Sequence, residues 1–345
     1  MRPNKVKVKA KVAATAAVAS AVAVVLMLAP AWSHLAASHA RRHAPTPPPP
    51  YVRYINRGYL RPVQGPYSYP QLWYSPPPRA AMVPGYPVSA FTPLGTEGAG
   101  GYALFTTDVV PYAGAQSVAV AWINQQQASV QIYAGTSQPA GSFPYQGAVP
   151  PSRFPSLIAA FEGGFQFSVA NGGFYQAGTV GIPLRNGAAS LVEYQGGTLD
   201  IGTWGSELSM TPQVQTVRQN LYLLVDQGQL NPLVNVDPLV TWGYSLGNLL
   251  ATWRSGIGIT ANGNLVWVGG PGLSPADLGN VLIWAGAIRG MQLDINPAWV
   301  NFASYTYQPG SGIHGTNLLP AMYFPPSHYL TPFWRDFIAV SLRGG

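Results

Sequence analysis

The chain has 345 residues, is 47% hydrophobic and only 8% charged, and carries 39 Gly, 34 Pro and no cysteine. That length suits one large domain or two small ones with a substantial core. The Gly and Pro content favours strands and turns, and the absence of Cys excludes thiol nucleophiles, thiolate metal sites and disulfides. The net charge of +7 is not a nucleic-acid footprint. Residues 1–79 carry eleven basic residues and no acid, whereas residues 80–345 carry seven Arg against all eleven acids, a net of −4. Beyond that basic tail only His314 and His328 occur, too few for a three-His zinc site.

Residues 1–11 form a lysine-rich tail, and residues 12–32 an uncharged Ala/Val-rich run. About twenty such residues span a bilayer, and the preceding charge holds the N-terminus inside. The run is therefore expected to be a signal anchor or a cleaved signal peptide, with small residues up to Ala37 and Ala40 suiting cleavage. The remainder is expected outside the cytoplasm, anchored to the cell membrane or secreted. Residues 33–87 read as a disordered linker, with thirteen Pro and seven Tyr between Pro45 and Pro87. Such a chain favours extended polyproline II. A single folded domain is expected over 88–345.

Within that domain Tyr102–Val110, Ser117–Ile123 and Ala128–Tyr133 read as strands, rich in β-branched and aromatic residues and bounded by turn formers. Pro139–Pro155 reads as a loop. Ser156–Phe161 is compatible with helix or strand. Residues 161–181 carry two glycine pairs beside aromatic residues, Gly163-Gly164 and Gly172-Gly173. Leu184–Trp204 holds two strands, with turns at Arg185-Asn186-Gly187 and Gln195-Gly196-Gly197. A helix is predicted from an N-cap at Thr211-Pro212 to Gly228, because Val214, Val217, Leu221, Leu224 and Val225 share a helical face. Ser255–Thr260 and Asn264–Gly269 read as a hairpin about Ala261-Asn262-Gly263. A capped helix follows, with Ser274 as N-cap, Pro275 first, Asp277 completing a capping box and Gly286 closing it. Arg289–Asp294, Trp299–Tyr307 and Phe337–Arg343 read as strands, with Gln308–His328 a loop. The fold class expected is α+β: a mixed, mostly antiparallel sheet with a few crossover helices.

Four segments resemble the phosphodiester glycosidase family of uncovering-enzyme-like domains. They are Ala160-Phe161-Glu162-Gly163-Gly164-Phe165, Gly172-Gly173-Phe174-Tyr175, Arg254-Ser255-Gly256-Ile257-Gly258-Ile259, and Met291-Gln292-Leu293-Asp294. Their order and spacing match over roughly residues 100–343. The whole string is most similar to an exported, actinobacterial-type branch. Two positions depart from the family pattern: Glu162 stands where the family has Asn, and Ile295-Asn296 where it has a glycine pair.

The resemblance implies hydrolysis of a glycosyl-1-phosphodiester, with a cell-surface polysaccharide as the expected setting. Such chemistry needs a cation for the phosphate and carboxylates at the anomeric carbon. The expected assignment gives Asp294 and Glu162 the catalytic roles and Arg254 the phosphate. Gly163, Gly164, Asn171, Gly172, Gly173 and Tyr175 are expected to complete the substrate cradle. Asp294 is also the carboxylate a divalent cation would use. The expected partners are a carbohydrate phosphodiester or wall polymer and, through the N-terminal run, the membrane, with no nucleic acid. The competing class is a non-catalytic wall-associated glycan-binding module using Trp204, Trp242, Trp253 and Trp267 as stacking surfaces. A Ser–His–Asp hydrolase is disfavoured: Gly243-Tyr244-Ser245-Leu246-Gly247 has the Gly-x-Ser-x-Gly spacing, but no helical pattern follows it.

Overall fold

The computed structural model describes residues 91–344. The expected tail, apolar run and linker lie outside the described residues. Among the described residues, no helix is long and apolar enough to cross a membrane.

Among the described residues, eighteen strands form three sheets, and every pairing between named strands is antiparallel. The largest sheet contains β1 (Thr92–Leu94), β2 (Leu104–Val109), β3 (Val118–Ile123), β14 (Leu265–Leu273), β13 (Thr252–Thr260), β15 (Ala287–Ile295), β11 (Leu223–Asp226) and β12 (Gln229–Leu230), in that spatial order. A second sheet runs β17 (Gly312–Asn317), β16 (Phe302–Gln308), β5 (Leu157–Glu162), β18 (Phe337–Leu342) and β4 (Ala128–Tyr133). The third runs β7 (Thr179–Ile182), β6 (Phe174–Gln176), β10 (Val214–Gln219), β8 (Ala189–Tyr194) and β9 (Thr198–Thr203).

Alternation along the strands assigns each face. Ala119, Ala121 and Ile123 join Trp267, Ile257 and Met291 in a core shared with Phe161, Ile338 and Leu191 of the other sheets. Val118, Val120 and Trp122 face the opposite side with Val266 and Val268. There the helix α2 (Pro275–Trp284) lays Leu278, Val281 and Leu282 on them. Covering both faces leaves β3 buried at every position. The α2 N-terminus has the predicted capping box between Ser274 and Asp277. It crosses from β14 to β15, which flank β13.

The helix expected over 211–228 is not formed. Those residues make β10 and β11, which belong to different sheets and are separated by Asn220 and by Leu221 at φ 53°. Valines and leucines at that spacing fit two short strands as well as one helix face, and sheet coverage decides. Gln227 and Gly228, at φ 51° and 72°, then close a two-residue hairpin rather than capping a helix. The only other α-helix among the described residues is α1 (Pro238–Trp242). Helix is therefore a smaller part of the fold than the α+β expectation held. The expected loop 308–328 contains the edge strand β17. The 156–161 segment is β5, with all six of its residues buried.

A carboxylate pair at the meeting of two sheets

Glu162 ends β5, and Asp294 is the penultimate residue of β15. Ser255 on β13 bridges them: its hydroxyl donates to Glu162 Oε1 and accepts from the Asp294 amide at 3.2 Å. The bridge comes from a β-bulge. Arg254 pairs with Ile295 and Gly256 with Gln292, so Leu293 and Asp294 both oppose the single residue Ser255. A bulge breaks the ladder locally and re-aims a side chain. Here it leaves the Asp294 amide for the Ser255 hydroxyl and sends the Asp294 carboxylate towards β18.

That carboxylate meets Arg335, just before β18, in a salt bridge through Oδ2, while Oδ1 accepts from the Ile295 amide at 2.8 Å. Arg335 also donates to Gly164 O at 2.6 Å. Its guanidinium lies over Trp299 at 4.6 Å and near Trp334 at 5.7 Å. The neighbouring Asp336 binds Arg218 of β10 at 2.9 Å. Arg218 is fully buried, donates to Phe165 O and to Gln219 O, and sits 4.4 Å over Phe167.

Burial sets the proton affinities. Glu162 is pushed up to about 8, first by burial and further by the Asp294 charge, against hydrogen bonds from Ser255 and Asn301. Asp294 is pushed up to about 6 by burial, with Arg335 pulling the other way. At neutral pH the pair therefore favours a protonated Glu162 beside an ionised Asp294, two carboxyl groups with divided roles. Tyr329, also buried, donates to Asn301 O at 3.2 Å. Asn301 Oδ1, itself buried, has no protein partner among the described residues.

Gly163 and Gly164 belong to this network. A side chain at Gly163 would come within 2.1 Å of Asp336 Oδ2, and one at Gly164, which holds φ 137°, within 2.9 Å of the Arg218 guanidinium carbon. The glycine turn thus admits charged groups against the backbone.

Other expected site residues lie elsewhere. Arg254 does not face the carboxylates. Its guanidinium donates to Leu273 O at 3.1 Å, Trp242 O at 3.1 Å, Gln292 Oε1 at 3.0 Å and Leu250 O at 3.3 Å. The reason is strand geometry, since successive residues point to opposite faces and Ser255 takes the one towards Glu162. Gly173 gives its amide to Gln219 Oε1 at 2.9 Å, and a side chain at Gly172 would strike Gln219. Asn171 is exposed, at φ 51°, and accepts from Arg185. Tyr175 packs with Val192, Trp204 and Val217. These four therefore form a separate cluster around β6 and Gln219. The stacking surfaces of the competing reading are mostly interior: Trp242 and Trp267 are fully buried and Trp204 nearly so, while Trp253 is half-buried.

The glycine-pair departure is structural in part. Asn296 holds φ 80°, a region Asn tolerates better than other side chains. Its side chain accepts from the Leu246 amide at 2.8 Å. Arg335 and Asp336 were missed by sequence reasoning. Their signal is a pair of opposite charges inside the aromatic run Phe333-Trp334 to Phe337, in a chain only 8% charged.

Among the described residues, no three His, Asp or Glu side chains cluster as metal ligands. Each carboxylate oxygen of the pair already accepts from a protein donor, and Arg335 neutralises Asp294. The residues present do not make a cation cradle.

No family model matches the chain, and no curated protein matches it. Solved structures similar to it include a zebrafish N-acetylglucosamine-1-phosphodiester alpha-N-acetylglucosaminidase catalytic domain, auto-inhibited by its pro-peptide. That chain is 13% identical at a TM-score of 0.43, with 74% of this chain and 87% of that chain covered. A hypothetical protein from Synechocystis is 14% identical at a TM-score of 0.37, over 70% and 62% respectively. Neither likeness bears on the actinobacterial-type branch.

Proposed function

We propose that the chain is an extracytoplasmic hydrolase of glycosyl-1-phosphodiesters, acting on a sugar–phosphate linkage of a surface polysaccharide. The observation that carries this reading is the Ser255-bridged pair Glu162–Asp294, with displaced proton affinities beside Arg335 and Arg218. Pairs of acids whose environments push them apart supply the general acid and general base of glycosyl transfer.

In the proposed reaction, water attacks the anomeric carbon and Asp294 takes its proton. The bond from that carbon to the phosphate oxygen breaks, and its electron pair leaves on the phosphomonoester. Glu162, carrying its proton, donates to that oxygen. Arg335 replaces Arg254 as the cation proposed for the phosphate, with a planar fork suited to it. Glu162 and Asp294 are 6% and 2% exposed, so substrate entry requires the packing around them to open.

One observation favours the second reading, a catalytically silent wall-associated module: all four carboxylate oxygens carry protein donors. The full-length protein assayed on UDP-sugars and sugar-1-phosphodiesters separates the two. Turnover is expected, with a bell-shaped pH profile whose limbs fall near 6 and 8 and belong to the pair. Asp294→Asn, folded by circular dichroism, is expected to lose on the order of 10²-fold or more. No turnover across the panel by folded wild-type protein supports the silent module.

A further inference from the structure

Asn301 lies directly across from Glu162. The Glu162 amide donates to Asn301 O at 3.4 Å, one pair beyond the Phe161–Phe302 pairing of β5 with β16. Residues opposed in an antiparallel pair carry their side chains on the same face, with Cβ atoms about 4.5–5.5 Å apart. The Asn301 amide in turn donates to Glu162 Oε2 at 3.1 Å. On the other flank Glu162 opposes Phe337, which is apolar, so Asn301 is its polar cross-strand neighbour.

The Asn301 side chain is oriented from outside the pair. Its Nδ2 donates to Phe324 O at 3.1 Å, and Asn317 Nδ2 donates to that same carbonyl at 2.8 Å. A carbonyl only accepts, so the nitrogen faces Phe324 and Oδ1 is the end turned away. Asn301 is 1% exposed, and Oδ1 has no donor among the described residues. Buried polar atoms are ordinarily paired.

The Glu162 carboxyl has the matching surplus. Ionised, it only accepts, and both oxygens are served: Oε1 by the Ser255 hydroxyl and Oε2 by the Asn301 amide. Burial favours the protonated form, which brings one hydrogen that needs an acceptor. Ser255 directs its own hydrogen at Oε1 and already accepts from the Asp294 amide, which leaves Oε2 to carry the proton.

We infer that Asn301 is a positioning residue for Glu162: its Oδ1 accepts the hydrogen of the protonated carboxyl and holds that hydrogen on Oε2. An orphan acceptor and a surplus hydrogen on directly opposed residues then satisfy each other. The surrounding charged and titratable groups are otherwise engaged. Asp294 on β15 pairs with Arg335, Asp336 pairs with Arg218, and Tyr329 keeps its proton, held well above its ordinary value by burial. Asp294, at about 6, ionises before Glu162, at about 8. The placement of the proton needs no substrate. Its bearing on turnover rests on the hydrolase reading, in which this hydrogen passes to the departing phosphate oxygen.

The test is an infrared titration of the carboxyl C=O band of full-length protein between pH 5 and 9. Glu193 titrates in the same range, so the Glu162 band is the part absent from Glu162→Gln. Asn301→Leu, with Asn301→Val as a second variant should the first not fold, is expected to lower the Glu162 midpoint by about 1 pH unit, because the protonated form loses its acceptor. Asn317→Leu removes an amide from the same Phe324 carbonyl and is expected to leave the midpoint unchanged. On a turned-over substrate, the upper limb of the pH–rate profile moves with the midpoint in the Asn301 variant. An unmoved midpoint without the Asn301 side chain, an equal shift in Asn317→Leu, or a Glu162 already ionised at pH 6 would each overturn the inference. A shifted midpoint in a protein with no turnover supports the inference and sinks the hydrolase reading alone.

Discussion

Two buried arginines, Arg254 and Arg335, show what separates a structural cation from a candidate functional one. Both are at most 4% exposed. Arg254 has no carboxylate partner; burial lowers its proton affinity to about 9, and it spends its donors on three backbone carbonyls and the Gln292 amide oxygen. It ties β13 to α1, the end of β14, β15 and the 246–250 turn. Arg335 pairs with Asp294 and shares the glycine turn with Arg218. A guanidinium saturated by carbonyls is a strut. One paired with a carboxylate whose neighbour is another acid is the candidate for the proposed phosphate role.

The largest expected effect is at Arg335. Arg335→Met leaves the Asp294 carboxylate buried without its cation, a loss of about 3–5 kcal/mol in denaturant unfolding. Turnover is expected to fall at least about 10²-fold in the folded fraction. The double variant Arg335→Met/Asp294→Leu should recover much of the stability and none of the turnover. Recovery of activity in that double variant would place the chemistry elsewhere.

Arg254→Met should separate the two arginines. Loss of its bonds to Leu273 O, Leu250 O and Gln292 Oε1 is expected to cost about 1–3 kcal/mol, while Trp242 O keeps the Gln292 side-chain amide at 2.8 Å. Turnover per folded molecule is expected within about twofold of wild type, since an arginine acting as a strut touches no substrate. A selective rise in KM with unchanged stability would return the phosphate role to Arg254.

The smallest effect is in pH dependence. Glu162 has a folded proton affinity of about 8 against an ordinary 4.5. It therefore holds its proton more tightly when folded. Its contribution to stability is full below about pH 4.5 and is lost as pH rises to about 8. Glu193, also pushed up to about 8 by burial, behaves alike. Denaturant midpoints from pH 5 to 8 should fall less steeply in Glu162→Gln and in Glu193→Gln than in wild type. An unchanged slope in both would mean that neither carboxyl titrates in this range.

Much of the local fold was legible. The Ala261-Asn262-Gly263 hairpin and the Ser274–Asp277 capping box each depend on residues a few positions apart, and both form. The 211–228 region was not legible because its apolar spacing satisfies a helix and two strands alike. β17 was hidden because Gly312–Asn317 is polar and lies at a sheet edge, where packing leaves no alternation. In the site, Asp294 was readable as an acid closing an apolar strand, and Glu162 only through the resemblance of its glycine turn. Arg335 was not, being 41 residues from Asp294 and joined to it only when two sheets meet.

The sequence alone determined the turns, the capped helix, the apolar strands and the positions where acids end them, because those depend on neighbours along the chain. Tertiary structure alone decided which arginine joins the carboxylates. With a side-chain period of two, a single bulged residue opposite Ser255 changes what faces what. That register belongs to the partner strand and is written nowhere within β13 itself.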